Sequence, residues 1–144
     1  MRHSALCIAF AIALLACGRV AAVPPAPDRC LIASLPDEAW ARNLPHAMRL
    51  TSRPSSLDPA HAREIVPINE GSGTQWASLT ALWSESPADS LNLQFVDIDA
   101  AWLVTLGRED SLLRGRIRWS FMHGGTTREA GDVTARWVSC RSGA

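Results

Sequence analysis

Residues Leu112 to Phe121 constrain this chain more than any others. Leu113, Gly115, Ile117, Trp119 and Phe121 fall on one side of a period-two repeat, and Arg114, Arg116, Arg118 and Ser120 fall on the other. A helix would scatter that apolar stripe around its circumference, so the spacing predicts a long strand with one dry and one wet face. The same alternation recurs on either side of it. Leu91, Leu93 and Phe95 alternate with Asn92 and Gln94; Trp102, Val104 and Leu106 with Leu103 and Thr105; Val133, Ala135 and Trp137 with Thr134, Arg136 and Val138, in a run from Asp132 to Cys140.

The connectors between these runs decide their pairing. Asp97-Ile98-Asp99, Gly107-Arg108-Glu109-Asp110 and His123-Gly124-Gly125 carry turn residues and are short. Parallel crossovers need a dozen or more residues, so consecutive strands are expected to pair antiparallel as a meander. The N-terminal half is less regular. Trp76 to Trp83 reads as a fifth strand and Met48 to Thr51 as a sixth. Asp58-Pro59 and Pro36-Asp37-Glu38 are helix-start signals, but Pro67 and Pro45 limit each to a short helical turn.

Six or so one-sided strands must bury their apolar faces, and closing the sheet on itself does so without leaving exposed edges. The expectation is an all-β chain with a small antiparallel meander barrel and one or two short N-terminal helical turns; the alternative is a β-sandwich. The strand order, Gly107 and Gly115 in or beside successive strands, and the closing Val138-Ser139-Cys140 resemble the lipocalin-like, or calycin-like, barrels of small secreted bacterial proteins. That resemblance covers roughly Met48 to Cys140, and the Gly-x-Trp signature of true lipocalins is missing around Trp40, where Glu38 stands in the glycine position.

The first thirty residues are an address. Arg2 and His3 precede an apolar run from Ala5 to Ala16, too short for the roughly 20 residues of a membrane-spanning helix and of the length a signal peptidase processes. Leu14-Leu15-Ala16-Cys17 resembles the lipobox of bacterial lipoproteins, which implies a bacterial source and acylation of Cys17, hence a membrane anchor on the periplasmic side of the envelope. Gly18 after the cysteine then gives no signal for inner-membrane retention. Cleavage after residue 22, at Val20-Ala21-Ala22, is the alternative and implies a soluble secreted or periplasmic protein. Residues 1–16 are therefore set aside as signal peptide. Residues 17–29, with Pro24, Pro25 and Pro27, form a semi-rigid tether, and residues 30–144 form a single β domain. That leaves roughly 115 residues, enough for one core.

Cys7 leaves with the signal peptide and Cys17 is lipidated or removed, so Cys30 and Cys140 remain as one pair in an oxidising compartment. They are expected to form a disulfide. A cysteine metal site is not expected, because neither thiol has a second ligand at the right spacing.

Net charge is zero, and all fourteen basic residues are Arg. Acidic and basic residues are interspersed, which excludes the basic footprint of a nucleic-acid-binding protein. Site candidates are few. Trp102, Trp119 and Phe121 on the expected inward face are candidates for lining an apolar ligand pocket. Arg114, Arg116 and Arg118 could grip anions, although a solvated outer face looks the same. No Gly-x-Ser-x-Gly elbow or phosphate-cradling loop occurs, and His46, His61 and His123 lack zinc-site spacing. The expectation is a non-enzymatic cell-envelope protein without cofactor or metal that binds an apolar small ligand or a protein partner. The alternative is a small periplasmic hydrolase or metal-dependent enzyme built on Asp97, Asp99 and His123.

Overall fold

Eight strands form, and their order along the chain is their order in space. The computed structural model describes residues 27–38, 41, 44–68, 79–86, 89–121 and 125–140. Its strands are β1 (Arg29–Ser34), β2 (Ala47–Pro54), β3 (Arg63–Pro67), β4 (Thr80–Glu85), β5 (Leu91–Val96), β6 (Ala100–Glu109), β7 (Leu112–Phe121) and β8 (Thr127–Val138). Each pairs antiparallel with the next, and β8 pairs back on β1 from Cys30↔Val138 to Ser34↔Thr134. The result is a closed, up-and-down, lipocalin-like barrel.

Closure overturns the sandwich alternative. A sandwich leaves unpaired edges, whereas here the first and last strands satisfy each other's ladder groups. The expected helical turns reduce to isolated turns, and no helix occurs among the described residues. At Asp58 a single bond closes the turn, Ala62 N–H donating to the Asp58 carbonyl at 2.9 Å while the Asp58 carboxylate accepts from His61 N–H at 3.2 Å. The chain then extends at once, because Arg63 pairs with Trp83 of β4. The turn that begins beyond Pro36 falls partly on residues 39 and 40, outside the described residues.

Period-two alternation places the core inside the barrel. Leu93 faces Val104, which faces Ile117; Leu91 faces Leu106, which faces Gly115, which faces Val133. Gly115 aside, these side chains together with Leu31, Met48, Leu50 and Phe95 are at most 4 % exposed and form one continuous cluster. Each large one contributes about 1.5–3 kcal/mol through burial. The interior is therefore filled by the chain's own side chains.

Three local irregularities shape the wall. In β8 the register shifts between Ile117 and Arg118, which face Gly131 and Glu129, so Ala130 is an extra bulged residue. Gly131 adopts φ 140° there, and a Cβ on it would lie 2.7 Å from Pro36 Cγ. At Gly115 the neighbouring strand comes so close that a Cβ would lie 1.7 Å from the Thr105 carbonyl oxygen. Between Leu50 and Pro54 the β2–β3 ladder is interrupted. The buried Thr51 hydroxyl repairs it, donating to the Glu64 carbonyl at 3.0 Å and accepting from Arg53 N–H at 3.2 Å.

The expected connector at Gly107 is also corrected. β6 runs on through Gly107 and Arg108 to Glu109, which pairs with Leu112, so the turn is Asp110-Ser111 alone. Asp110 supplies the positive φ, 54°, that two-residue hairpins require. Cys30, on β1, and Cys140, just past β8, stand at disulfide distance with S–S 2.00 Å and Cα–Cα 5.2 Å. They fasten the seam between first and last strands across 110 residues of sequence.

Candidate functional site at the barrel mouth

An antiparallel meander puts alternate connections at opposite ends. The β4–β5 and β6–β7 connections share one end with the start of β1 and the end of β8. At that end the inward-facing positions stop being aliphatic. Arg29 continues the Leu31 and Ala33 face of β1; Trp83 and Glu85 continue the Ala81 face of β4; Arg108 continues the Val104 and Leu106 face of β6; Trp137 continues the Ala135 face of β8. Core burial ends here, and polar and aromatic groups form the mouth.

Arg29 organises it. Its guanidinium carbon lies 4.6 Å from the centroid of Trp137 and 5.2 Å from that of Trp83, both within cation–π reach. Its Nη2 donates to Glu85 Oε1 at 2.5 Å, an ion pair whose side chains are 39 % and 60 % exposed. Trp83 is fixed in turn by Nε1 donating to the Thr51 carbonyl at 2.9 Å. A flat cation, two indoles and a carboxylate thus brace the mouth from three strands.

Beside this brace lies a cleft of about 710 Å³. Leu91, Leu113 and Trp137 give it an apolar floor, and Asp89, Arg108 and Asp110 stand on its rim. Asp89 (φ 56°) and Asp110 are the described non-glycine residues with positive φ, and both border this cleft. No hydrogen bond or ion pair engages the side chains of Arg108, Asp89 and Asp110 among the described residues. The cleft therefore presents unspent donors and acceptors above an apolar floor.

No family model, no characterised protein and no solved structure matches this chain.

The ligand candidates Trp102, Trp119 and Phe121 lie at the opposite end, with the β5–β6 and β7–β8 connections. Trp102 faces Trp119 across the ladder, and Trp119 meets Phe121 edge to face with centroids 4.5 Å apart. Phe121 is corrected: it has inward parity, but β7 extends past the last core layer there and leaves the ring 51 % exposed. Trp102 and Trp119 pack part-buried on the core and border a recess of about 330 Å³ that also touches Leu103 and Arg118. The Trp102 indole N–H is enclosed without a hydrogen-bond partner among the described residues.

The arginine stripe lies on the outer wall. Arg114 pairs with Glu109 at 3.0 Å and Arg116 with Asp132 at 3.6 Å, so two of the three candidate anion ligands are already matched by carboxylates. All of these side chains are more than half exposed, as on a solvated face.

Asp97 and Asp99 lie in the β5–β6 turn, where the Asp97 carboxylate accepts from Ile98 N–H at 2.8 Å, a turn-forming role. His123 falls outside the described residues, as do Cys17 and residues 1–26. Among the described residues, no three His, Cys, Asp or Glu side chains group to hold a metal. His46 Nδ1 lies 3.3 Å from the Ala33 carbonyl, and His61 Nδ1 lies 3.0 Å from the Asp58 carboxylate.

Sequence reasoning missed Arg29, Glu85 and Arg108, and read Trp137 only as core. A signal existed for Arg108: it continues the parity of Trp102, Val104 and Leu106, and a charged residue on an otherwise apolar stripe marks where a barrel interior opens. Arg29 had none, because β1 shows no clean alternation; Cys30 on its outward face is only 1 % exposed.

Proposed function

We propose that this chain is a non-enzymatic, exported cell-envelope protein that binds a small ligand or a protein partner at the mouth of its barrel. The observation that carries this reading is the cleft of about 710 Å³ above a packed interior. Its size lies within the roughly 300–1,000 Å³ of small-molecule sites. Since aliphatic side chains occupy the barrel's centre, the mouth supports binding better than the interior does. Leu91, Leu113 and Trp137 are the apolar contacts for the occupant, and the seam fastened by Cys30 and Cys140 holds β1 and β8 in place beneath it. Export rests on the signal-like start, and anchoring rests on acylation of Cys17, which leaves the domain facing the periplasm on its proline-rich tether.

The test is nuclear magnetic resonance mapping with a library of small soluble fragments. Binders are expected to perturb Leu91, Leu113 and Trp137 together and to lose affinity in Trp137→Ala. Hits confined to the outer wall or to the Trp102–Trp119 end, or an absence of hits, would refute the mouth as the site.

A further inference from the structure

We infer that the occupant of the mouth is a short neutral carbohydrate of one or two sugar units. This inference rests on the mouth reading and adds the ligand class. The cleft presents three carboxylates, Glu85, Asp89 and Asp110, against two guanidiniums, Arg29 and Arg108. Arg29 and Glu85 are spent on each other. What remains for a ligand is one guanidinium and two carboxylates, none of them in a hydrogen bond or ion pair among the described residues.

That set selects by charge. An anion drawn to Arg108 meets Asp89 and Asp110, and a cation drawn to those carboxylates meets Arg108. A hydroxyl group meets neither penalty. It donates to a carboxylate and accepts from a guanidinium, so a neutral ring carrying several hydroxyls satisfies all three groups with charge-assisted hydrogen bonds. Ser86 and Ser90, also on the cleft, add hydroxyls of the same dual character. Beneath them, the part of the Trp137 indole that Arg29 leaves uncovered, with the little of Leu91 and Leu113 that the core leaves exposed, gives the C–H groups of a sugar ring an apolar contact. A purely apolar ligand would instead desolvate Asp89, Asp110 and Arg108 without replacing their water, which is unfavourable.

The experiment titrates the isotope-labelled mature protein with cellobiose, maltose and N,N′-diacetylchitobiose, with glucuronate and choline as charged comparators, and follows the indole N–H signals. At least one neutral disaccharide is expected to shift the Trp137 and Trp83 signals saturably while the Trp102 signal stays in place. Asp110→Asn keeps a residue that tolerates positive φ and Arg108→Gln keeps a long polar side chain; each is expected to weaken binding tenfold or more. Glucuronate or choline shifting Trp137 while the three disaccharides do not would overturn the carbohydrate class and leave the mouth standing. No probe shifting Trp137 would overturn this inference, and with failure of the fragment library the mouth reading falls too. A disaccharide that shifts Trp102 instead would place carbohydrate binding elsewhere and also overturn it.

Discussion

The guanidinium of Arg29 lies over the ring of Trp137, its central carbon 4.6 Å from the ring centroid. The two residues come from the first and last strands, so the contact spans the seam at which the barrel closes. Trp83 contributes a second ring and Glu85 an ion pair, so Arg29, the first residue of β1, becomes part of the folded wall.

Arg29→Met is expected to destabilise the barrel by about 1–2 kcal/mol in urea unfolding, the range of a partly desolvated cation–π contact. Most of that loss should persist at about 1 M salt, where the Debye length is about 3 Å, because stacking on indole is screened less than an exposed ion pair. Glu85→Gln should change stability by no more than about 1 kcal/mol, given its exposure. An effect of Arg29→Met that vanishes in salt would assign the contact's value to the ion pair instead.

The tryptophans give a contrasting pair. Trp83→Phe removes the donor to the Thr51 carbonyl and should destabilise by about 1–2 kcal/mol. Trp102→Phe removes an indole N–H that is enclosed without a partner, so it should be neutral or slightly stabilising. Thermal unfolding of the two variants side by side checks the order.

Glycine tolerance should differ along the barrel. Gly115→Ala places a Cβ on the Thr105 backbone and is expected to destabilise by about 3 kcal/mol or more. Gly107→Ala meets nothing closer than 3.9 Å and should stay within about 0.5 kcal/mol of the parent. Gly131→Ala combines a φ of 140° with a 2.7 Å approach to Pro36 and belongs with Gly115. Denaturant midpoints for the three variants measure this ranking.

The Cys30–Cys140 bond should stabilise the domain by constraining its unfolded chain. A loop of this length corresponds to about 4–5 kcal/mol on the chain-entropy model, and realised losses run about 2–5 kcal/mol. The double Ser variant is therefore expected to unfold at markedly lower urea. Free-thiol titration of the unreduced, unfolded protein lacking Cys7 and Cys17 should find no reactive thiol.

On the proposed anchor, mass spectrometry of the mature N-terminus should find Cys17 carrying lipid, and Cys17→Ser should leave the detergent phase. A native N-terminus at Val23 without lipid would place the protein free in the compartment.

The legible part of this fold was β5 to β8, and the reason is local. Leu91–Phe95, Trp102–Leu106, Leu113–Phe121 and Val133–Trp137 alternate cleanly, and connectors as short as Asp110-Ser111 leave only hairpin pairing open to them. β1 and β3 were not legible. Arg63 to Pro67 follows a helix-start signal and ends in proline, and it becomes a strand only because β2 and β4 flank it on both sides. β1 is short, its Cys30 is buried outward, and its pairing with β8 joins residues more than a hundred positions apart.

The sequence by itself determined the all-β class, the antiparallel order, the pairing of the two cysteines and a net charge of zero. Period-two spacing, connector length and composition act locally or are summed over the chain, so a reader of residues can find them. Tertiary structure alone decided that the sheet closes, that Phe121 sits beyond the last core layer, and that Arg29, Glu85, Arg108 and Trp137 converge on one mouth. Those outcomes depend on closure between strands distant in sequence, which sets how far each inward stripe runs before the packed core gives way to water.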